Sequence, residues 1–211
     1  MKKKIPCFCD TNFDVEIAEE IDLDEDNGYL EAILNGSFFS FRCPSCNKKH
    51  KPEFPISVLW LSKEKRFEVI PELSRGEFYL KKLSKTEKNA SMAETLIGYP
   101  EMADRIAQIR DGHEPVPIEA IKYYLQLKVE EQYPDNENEI EIWYHNSNAD
   151  FIEFHIHGIK EDEVAVMKLP FSVYEKTLKD YRENPQSELF SAMRYHSYLS
   201  YKNTMRPEAV K

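Results

Sequence analysis

Glycine is scarce in this chain, with six in 211 residues, and no Gly-rich loop of the kind that cradles phosphates can be found. Nor is there an apolar run of the length a bilayer-spanning helix requires, so no membrane partner is expected. Met1-Lys-Lys-Lys is followed by Ile-Pro-Cys instead of an apolar stretch, which argues against a secretory signal and for a cytoplasmic protein. G-x-S-x-G and H-E-x-x-H are missing too, and no nucleophile stands beside a readable base, so the chain is expected to be non-catalytic. Positive charge is the minority: 28 Lys and Arg face 38 Asp and Glu, for a net charge of −10. Nucleic-acid binding rests on phosphate contacts from a basic face, so a nucleic-acid partner is not expected. Internal repeats and low-complexity segments are lacking as well.

Cysteine is rare but concentrated. The four thiols occur as Cys7-Phe8-Cys9 and Cys43-Pro44-Ser45-Cys46. C-x-C and C-x-x-C each put two sulfurs on one tight turn, and two such turns brought together make the tetrahedral S₄ site that zinc prefers. Pro44 presets φ for the second position of a turn. Two disulfides are the alternative, disfavoured in a reducing cytosol. A four-thiolate zinc carries net negative charge, and Lys2, Lys3, Lys4, Arg42, Lys48, Lys49 and Lys51 crowd both turns. Cys7, Cys9, Cys43 and Cys46 are therefore the candidate Zn²⁺ ligands. His50, just past the second turn, reads as a surface residue.

The first turn is one residue shorter than the usual knuckle, so fewer backbone N–H groups reach its sulfurs. This C-x-C plus C-x-x-C order resembles the zinc switch of a redox-regulated bacterial holdase chaperone, a likeness confined to the four ligands. It supplies a second reading, in which Cys7 and Cys9 oxidise first and zinc is released.

The surrounding pattern reads as α+β. Phe13, Val15 and Ile17 alternate as a half-buried strand. The acidic run 19–26 contains Asp22-x-Asp24-x-Asp26, but its glycine falls one place late and its twelfth position is Ile33, so a solvated loop is preferred to a calcium loop. A helix is expected over Asn27 to Asn35, stopped by Gly36, followed by strands over Phe38 to Phe41, Pro55 to Leu61 and Arg66 to Ile70. Residues 81–93 read as a mobile loop. Helices open at Pro100, with Met102, Ile106 and Ile109 inward, and at Pro117, with Ile118, Ile121 and Leu125 inward. The chain then changes character after the linker Tyr133 to Asn138. Ile140, Ile142 and Tyr144 alternate, as do Ile152, Phe154 and Ile156 after a turn, which predicts a hairpin. A third strand over Val164 to Leu169 follows. Ser172-x-x-Glu175 reads as a capping box, and Asn184-Pro185 as the start of a last helix with Leu189, Met193, His196 and Leu199 inward. His155 and His157 share one strand face, with His145 across the hairpin, and two histidines at i, i+2 can chelate a metal; with no carboxylate or third histidine fixed nearby in sequence, this face is expected to meet solvent instead.

Ile5-Pro-Cys-Phe-Cys, the segment Leu34-Asn-Gly-Ser-Phe-Phe-Ser-Phe-Arg-Cys-Pro-Ser-Cys and the strands after it resemble the CpXC domain, a bacterial four-cysteine family. Glu101-Met-Ala-Asp-Arg-Ile and Ile118-Glu-Ala-Ile-Lys resemble its helical part, so the likeness covers roughly residues 1–130. It implies metal-binding cysteines at Cys7, Cys9, Cys43 and Cys46. The family motif is C-P-x-C at both turns, from which Cys7-Phe8-Cys9 departs. The resemblance brings no reaction with it. The expected organisation is a zinc-ribbon-like, β-rich N-terminal domain over 1–131 and a β-β-β-α-α unit over 138–211. The expected role is a zinc-stabilised module acting through protein partners. Tyr174, Tyr181, Tyr195, Tyr198 and Tyr201 are the candidate contact surface.

Overall fold

The computed structural model describes residues 1–25, 27–80 and 93–206. The loop expected over 81–93 thus falls, apart from Ala93, outside the described residues, as does Asp26 of the acidic run. The fold is α+β, in two compact units that divide at Ala103/Asp104.

The first unit begins with a hairpin that the sequence reading missed in half: β1 (Lys2–Pro6) pairs antiparallel with β2 (Asn12–Glu16). Only Ile5 of β1 is buried, so its charged neighbours hide the alternation. β3 (Glu20–Asp22) lies inside the acidic run, which corrects the expectation of a solvated loop. Ile21 and Leu23 are buried there, and β3 runs parallel to β6 (Ile56–Trp60). Asp24 turns back to accept hydrogen bonds from the Ser62 N–H and hydroxyl, which hold its carboxyl below the ordinary range. Helix α1 (Asn27–Leu34) ends at Gly36, whose φ of 68° suits the residue without a Cβ.

The strand expected over Phe38 to Phe41 is a second correction. Ser37 to Phe39 form a turn in which the Ser37 N–H donates to Asn35 Oδ1 and Phe39 adopts φ 44°. Only Phe41–Arg42 extend, as β4, to pair with β5 (Lys49–His50). β6 pairs antiparallel with β7 (Lys65–Ile70), which runs parallel to β8 (Glu94–Ile97). Val58, Phe67, Val69, Leu96 and Ile97 are almost wholly inaccessible and form the centre of this sheet. Next to it, α2 (Arg75–Leu80) offers Arg75 to Glu72 and, at 2.7 Å, to Glu101.

Helix α3 (Tyr99–Arg110) leads into α4 (Pro115–Gln132), which opens at Pro115, two residues ahead of the expected start at Pro117. The second unit holds a three-stranded sheet ordered β11-β10-β9, from β9 (Glu141–Ser147), β10 (Phe151–His157) and β11 (Ala165–Pro170). Ile142, Tyr144, Ile152, Phe154 and Ile156 fill one face, as the alternation predicts. Helix α5 (Phe171–Glu183) starts at Phe171 behind Pro170, so the Ser172 capping box does not form. The last predicted helix also breaks. α6 (Glu188–Ala192) is followed by a tight hairpin of β12 (Arg194–Tyr195) and β13 (Tyr198–Leu199). His196 sits exposed in its turn at φ 56° instead of on an inner helix face. Phe190, Met193 and Leu199 nevertheless reach the core, against Val116 and Ala120 of α4. Tyr174, Tyr198 and Tyr201 are buried too, so most of the tyrosine surface proposed from sequence is interior.

Candidate metal centre

Two hairpin tips carry the four cysteines. In the first, the Cys7 N–H donates to Thr11 O at 2.9 Å and the Asp10 N–H to Cys7 O at 3.0 Å. In the second, the Cys43 N–H donates to Lys48 O at 3.0 Å and the Asn47 N–H to Cys43 O at 2.9 Å. The residue after the second cysteine is left-handed in both, Asp10 at φ 62° and Asn47 at φ 59°, and Asp and Asn are the side chains that tolerate this region best. The extra residue of C-x-x-C therefore converts a four-residue turn into a five-residue one without changing how it closes. Arg42 clamps the longer turn by donating to Asn47 O at 3.2 Å.

The sulfurs converge in crossed pairs. Cys7 Sγ lies 3.4 Å from Cys46 Sγ, and Cys9 Sγ lies 3.7 Å from Cys43 Sγ. All four ligand atoms fall within 4.8 Å of one another. A tetrahedral ion with metal–sulfur bonds of about 2.3 Å needs sulfurs about 3.8 Å apart, so the cluster fits one metal ion held by all four thiolates. Cys7 and Cys43 are buried, whereas Cys9 and Cys46 are exposed, and all four are free of disulfides.

The short turn gains its polar support from side chains. Thr11 Oγ1 stands 3.5 Å from Cys9 Sγ, and His50 Nε2 stands 3.2 Å from Cys7 Sγ. His50 was expected at the surface; instead it packs edge-on to Phe13 and stacks on Phe8, with centroids 5.7 and 6.0 Å away. β5 carries it there directly, because Phe41 and His50 are cross-strand partners. As free thiols the two cysteines of this turn part company. The Cys9 N–H lowers the Cys7 thiol, but burial and the neighbouring thiols outweigh it and push Cys7 up to about 12. The Thr11 hydroxyl and N–H hold Cys9 down at about 6. Uptake of a metal by this set must displace the Cys7 proton.

An aromatic floor supports the tips. Ile5, Val15 and Ile17 pack with Phe13, Phe39, Phe41 and Phe54. Phe39 stacks on Phe38 at 4.2 Å, and both rings meet Tyr99 edge-on. Tyr99 in turn ties down the segment that follows β5: its hydroxyl donates to Phe54 O and accepts from the Phe54 N–H, at 3.0 and 2.9 Å. Beside it Glu53 accepts from the N–H groups of Tyr99 and Glu72. The turn at Phe38 and Phe39 that sequence reading took for a strand is what supplies these rings.

Sequence reasoning also missed two buried polar groups of the second unit. Asp104, Arg105, Glu119 and Lys122, each with a side chain no more than 6% exposed, form a charge-balanced network. Lys122 pairs with Asp104 and, at 3.0 Å, with Glu119, while Arg105 reaches Glu119 at 3.5 Å. The same carboxylates accept from the N–H groups of Tyr144 and Tyr201. His113, likewise buried, bonds Ser147 Oγ at 2.7 Å and packs against Tyr174. The signal for the network was charge at Arg105, Glu119 and Lys122 directly beside the inward Ile106, Ile118 and Ile121.

No solved structure matches the chain. An uncharacterised protein of Treponema pallidum (strain Nichols) is 29% identical over 217 residues, covering 95% of this chain and 97% of its own length. The sequence profile of the CpXC proteins matches residues 5–122, a stretch that contains both cysteine tips, the aromatic floor and the start of α4, through Lys122. The chain belongs to the CpXC protein family.

Proposed function

We propose that this protein is a zinc-stapled, non-catalytic interaction module. One observation carries the zinc reading: four cysteine sulfurs on two crossed hairpin tips, spaced at 3.4 and 3.7 Å as the edges of a small tetrahedron. A tetrahedral all-sulfur shell suits zinc, and four protein ligands leave no position for a catalytic water. Cys7, Cys9, Cys43 and Cys46 would hold the ion, and the ion would supply the cross-link that fixes one tip against the other. Thiolates reserved for a metal belong in a reducing compartment, which supports a cytoplasmic location.

The partner surface is proposed at the first tip. Phe8 is 89% exposed, braced by His50 beneath it and by Lys48 at 6.0 Å. An aromatic held out on a rigid turn is a typical anchor for a protein partner. Elemental analysis of protein prepared without chelators is expected to give zinc bound through the cysteines, with Cys43→Ser losing it and unfolding the first unit. Structural zinc contributes about 10–16 kcal/mol of apparent binding energy in small motifs. Metal-free protein whose first unit stays folded would refute this reading.

The exposure of Cys9 favours a second reading, a thiol switch. Mild peroxide would then release zinc and reversibly expose Phe39 and Phe41. Retention of zinc at oxidant levels that empty a known zinc switch leaves the staple alone.

A further inference from the structure

A second group of ligating side chains lies far along the chain from the cysteines, on the face of the β9–β10–β11 sheet opposite its core. The β9–β10 register slips there. Glu153 pairs with Asn146 and Phe154 with Tyr144, so His145 is the extra residue of a β-bulge. A bulge re-aims a side chain, and this one sets His145 beside Glu153 and His155. The rings of His145 and His155 stack with centroids 4.0 Å apart and planes 16° apart. Glu153 Oε1 lies 3.1 Å from His155 Nε2 and 3.7 Å from His145 Nε2. The three ligand atoms are all within 4.8 Å of one another. Glu153 is 7% exposed, an uncommon position for a carboxylate on an outer sheet face. Its other oxygen, Oε2, is taken by Lys168 at 3.1 Å from the adjacent strand.

We infer that His145, Glu153 and His155 form a second metal site, for a divalent transition ion of the zinc type. Bonds of about 2.0–2.2 Å to imidazole nitrogen and carboxylate oxygen put ligand atoms about 3.3–3.5 Å apart in a tetrahedron, between the two separations observed. Lys168 holds Oε2 so that Oε1 alone faces the histidines, and a partner of this kind orients a metal-ligating carboxylate. Stacked imidazoles aim their lone pairs side by side, so binding must fan the rings apart. His145, whose side chain is 50% exposed, is the ring free to swing. Three protein ligands leave the remaining position to water or an outside ligand, in contrast to the closed four-cysteine shell. The cation at Lys168 and the open face make this the weaker of the two sites, filled after the cysteines. His157, on the same face two residues on, is not a member of the group.

The test uses the full chain with its cysteines already loaded with one equivalent of Zn²⁺. Further Zn²⁺ is titrated by calorimetry while the imidazole resonances are followed by NMR. One more equivalent is expected, shifting the His145 and His155 signals and leaving those of His157 and His196 in place. His145→Ala, His155→Ala and Glu153→Gln are each expected to weaken this step by at least ~10-fold, the scale of a lost ligand or its support, with His157→Ala unchanged. Because the resonances are read in the unaltered protein, the result does not depend on how the variants fold. Absence of a second equivalent, or a second equivalent that leaves His145 and His155 unmoved, overturns the site. Loss of the first equivalent would instead count against the cysteine centre.

Discussion

His50 decides how well the short cysteine turn is served. Its Nε2 contacts Cys7 Sγ while Phe8 and Phe13 hold the ring. Partners of this kind orient the first ligands and tune the ion, so His50→Ala is expected to weaken metal binding about 10–100-fold while the four ligands remain. Competition with a chromophoric chelator measures this, and an unchanged affinity would make His50 mere packing. From the sequence, four nearby thiols made a fifth ligand superfluous and left His50 without a task. Its role depends on pairing with Phe41, which only the register of β4 and β5 reveals. His113 gives a second prediction at this scale. Burial holds its pKa below that of a free imidazole. Below pH 6.5 the unfolded chain binds a proton that the folded chain refuses, so stability falls as pH drops through that window and levels off below the folded pKa. His113→Asn should flatten this slope in urea midpoints measured from pH 7 to pH 5, and an unchanged slope would assign it to other groups.

Among the elements, those with alternating apolar residues were legible, and those fixed by local polar geometry were not. β2, β9 and β10 fall where alternating apolar residues place them. The strand over Phe38 to Phe41 failed because Asn35 and Gly36 wind the chain past the helix end into a turn, and the rings then serve Tyr99. The capping box failed because Pro170 already occupies the N-cap place, two residues before Ser172. The final helix failed at His196, where a left-handed turn reverses the chain, although Met193 and Leu199 face inward either way. One position tests the strand geometry of the second unit. Gly158 ends β10 at φ 88°, and a Cβ there would stand 2.1 Å from Glu139 O. Gly158→Ala is expected to cost more than about 2 kcal/mol, combining the strained φ with backbone displacement. A thermal midpoint within 2 °C or so of the parent would show that Glu139 yields freely.

At the scale of the molecule, each unit has its own means of fixing its structure. In the first, two cysteine tips rest on an aromatic floor, legible from the cysteine spacing but not in its supporting contacts. In the second, the Asp104, Arg105, Glu119 and Lys122 network is buried in the core. Helical periodicity hid it, since charged residues beside inward isoleucines read as a solvated flank. Removing one partner leaves an uncompensated buried charge, so Lys122→Met is expected to cost about 3–5 kcal/mol. Adding Asp104→Asn should recover part of that loss, and strict additivity in the double-mutant cycle would deny the coupling. The central claim concerns the first unit, and X-ray absorption at the zinc edge addresses it most directly. Protein loaded with one equivalent of zinc is predicted to show a single shell of four sulfurs at about 2.3 Å, and Cys43→Ser to lose it. A shell dominated by nitrogen or oxygen, or iron in place of zinc in the purified protein, would contradict the account.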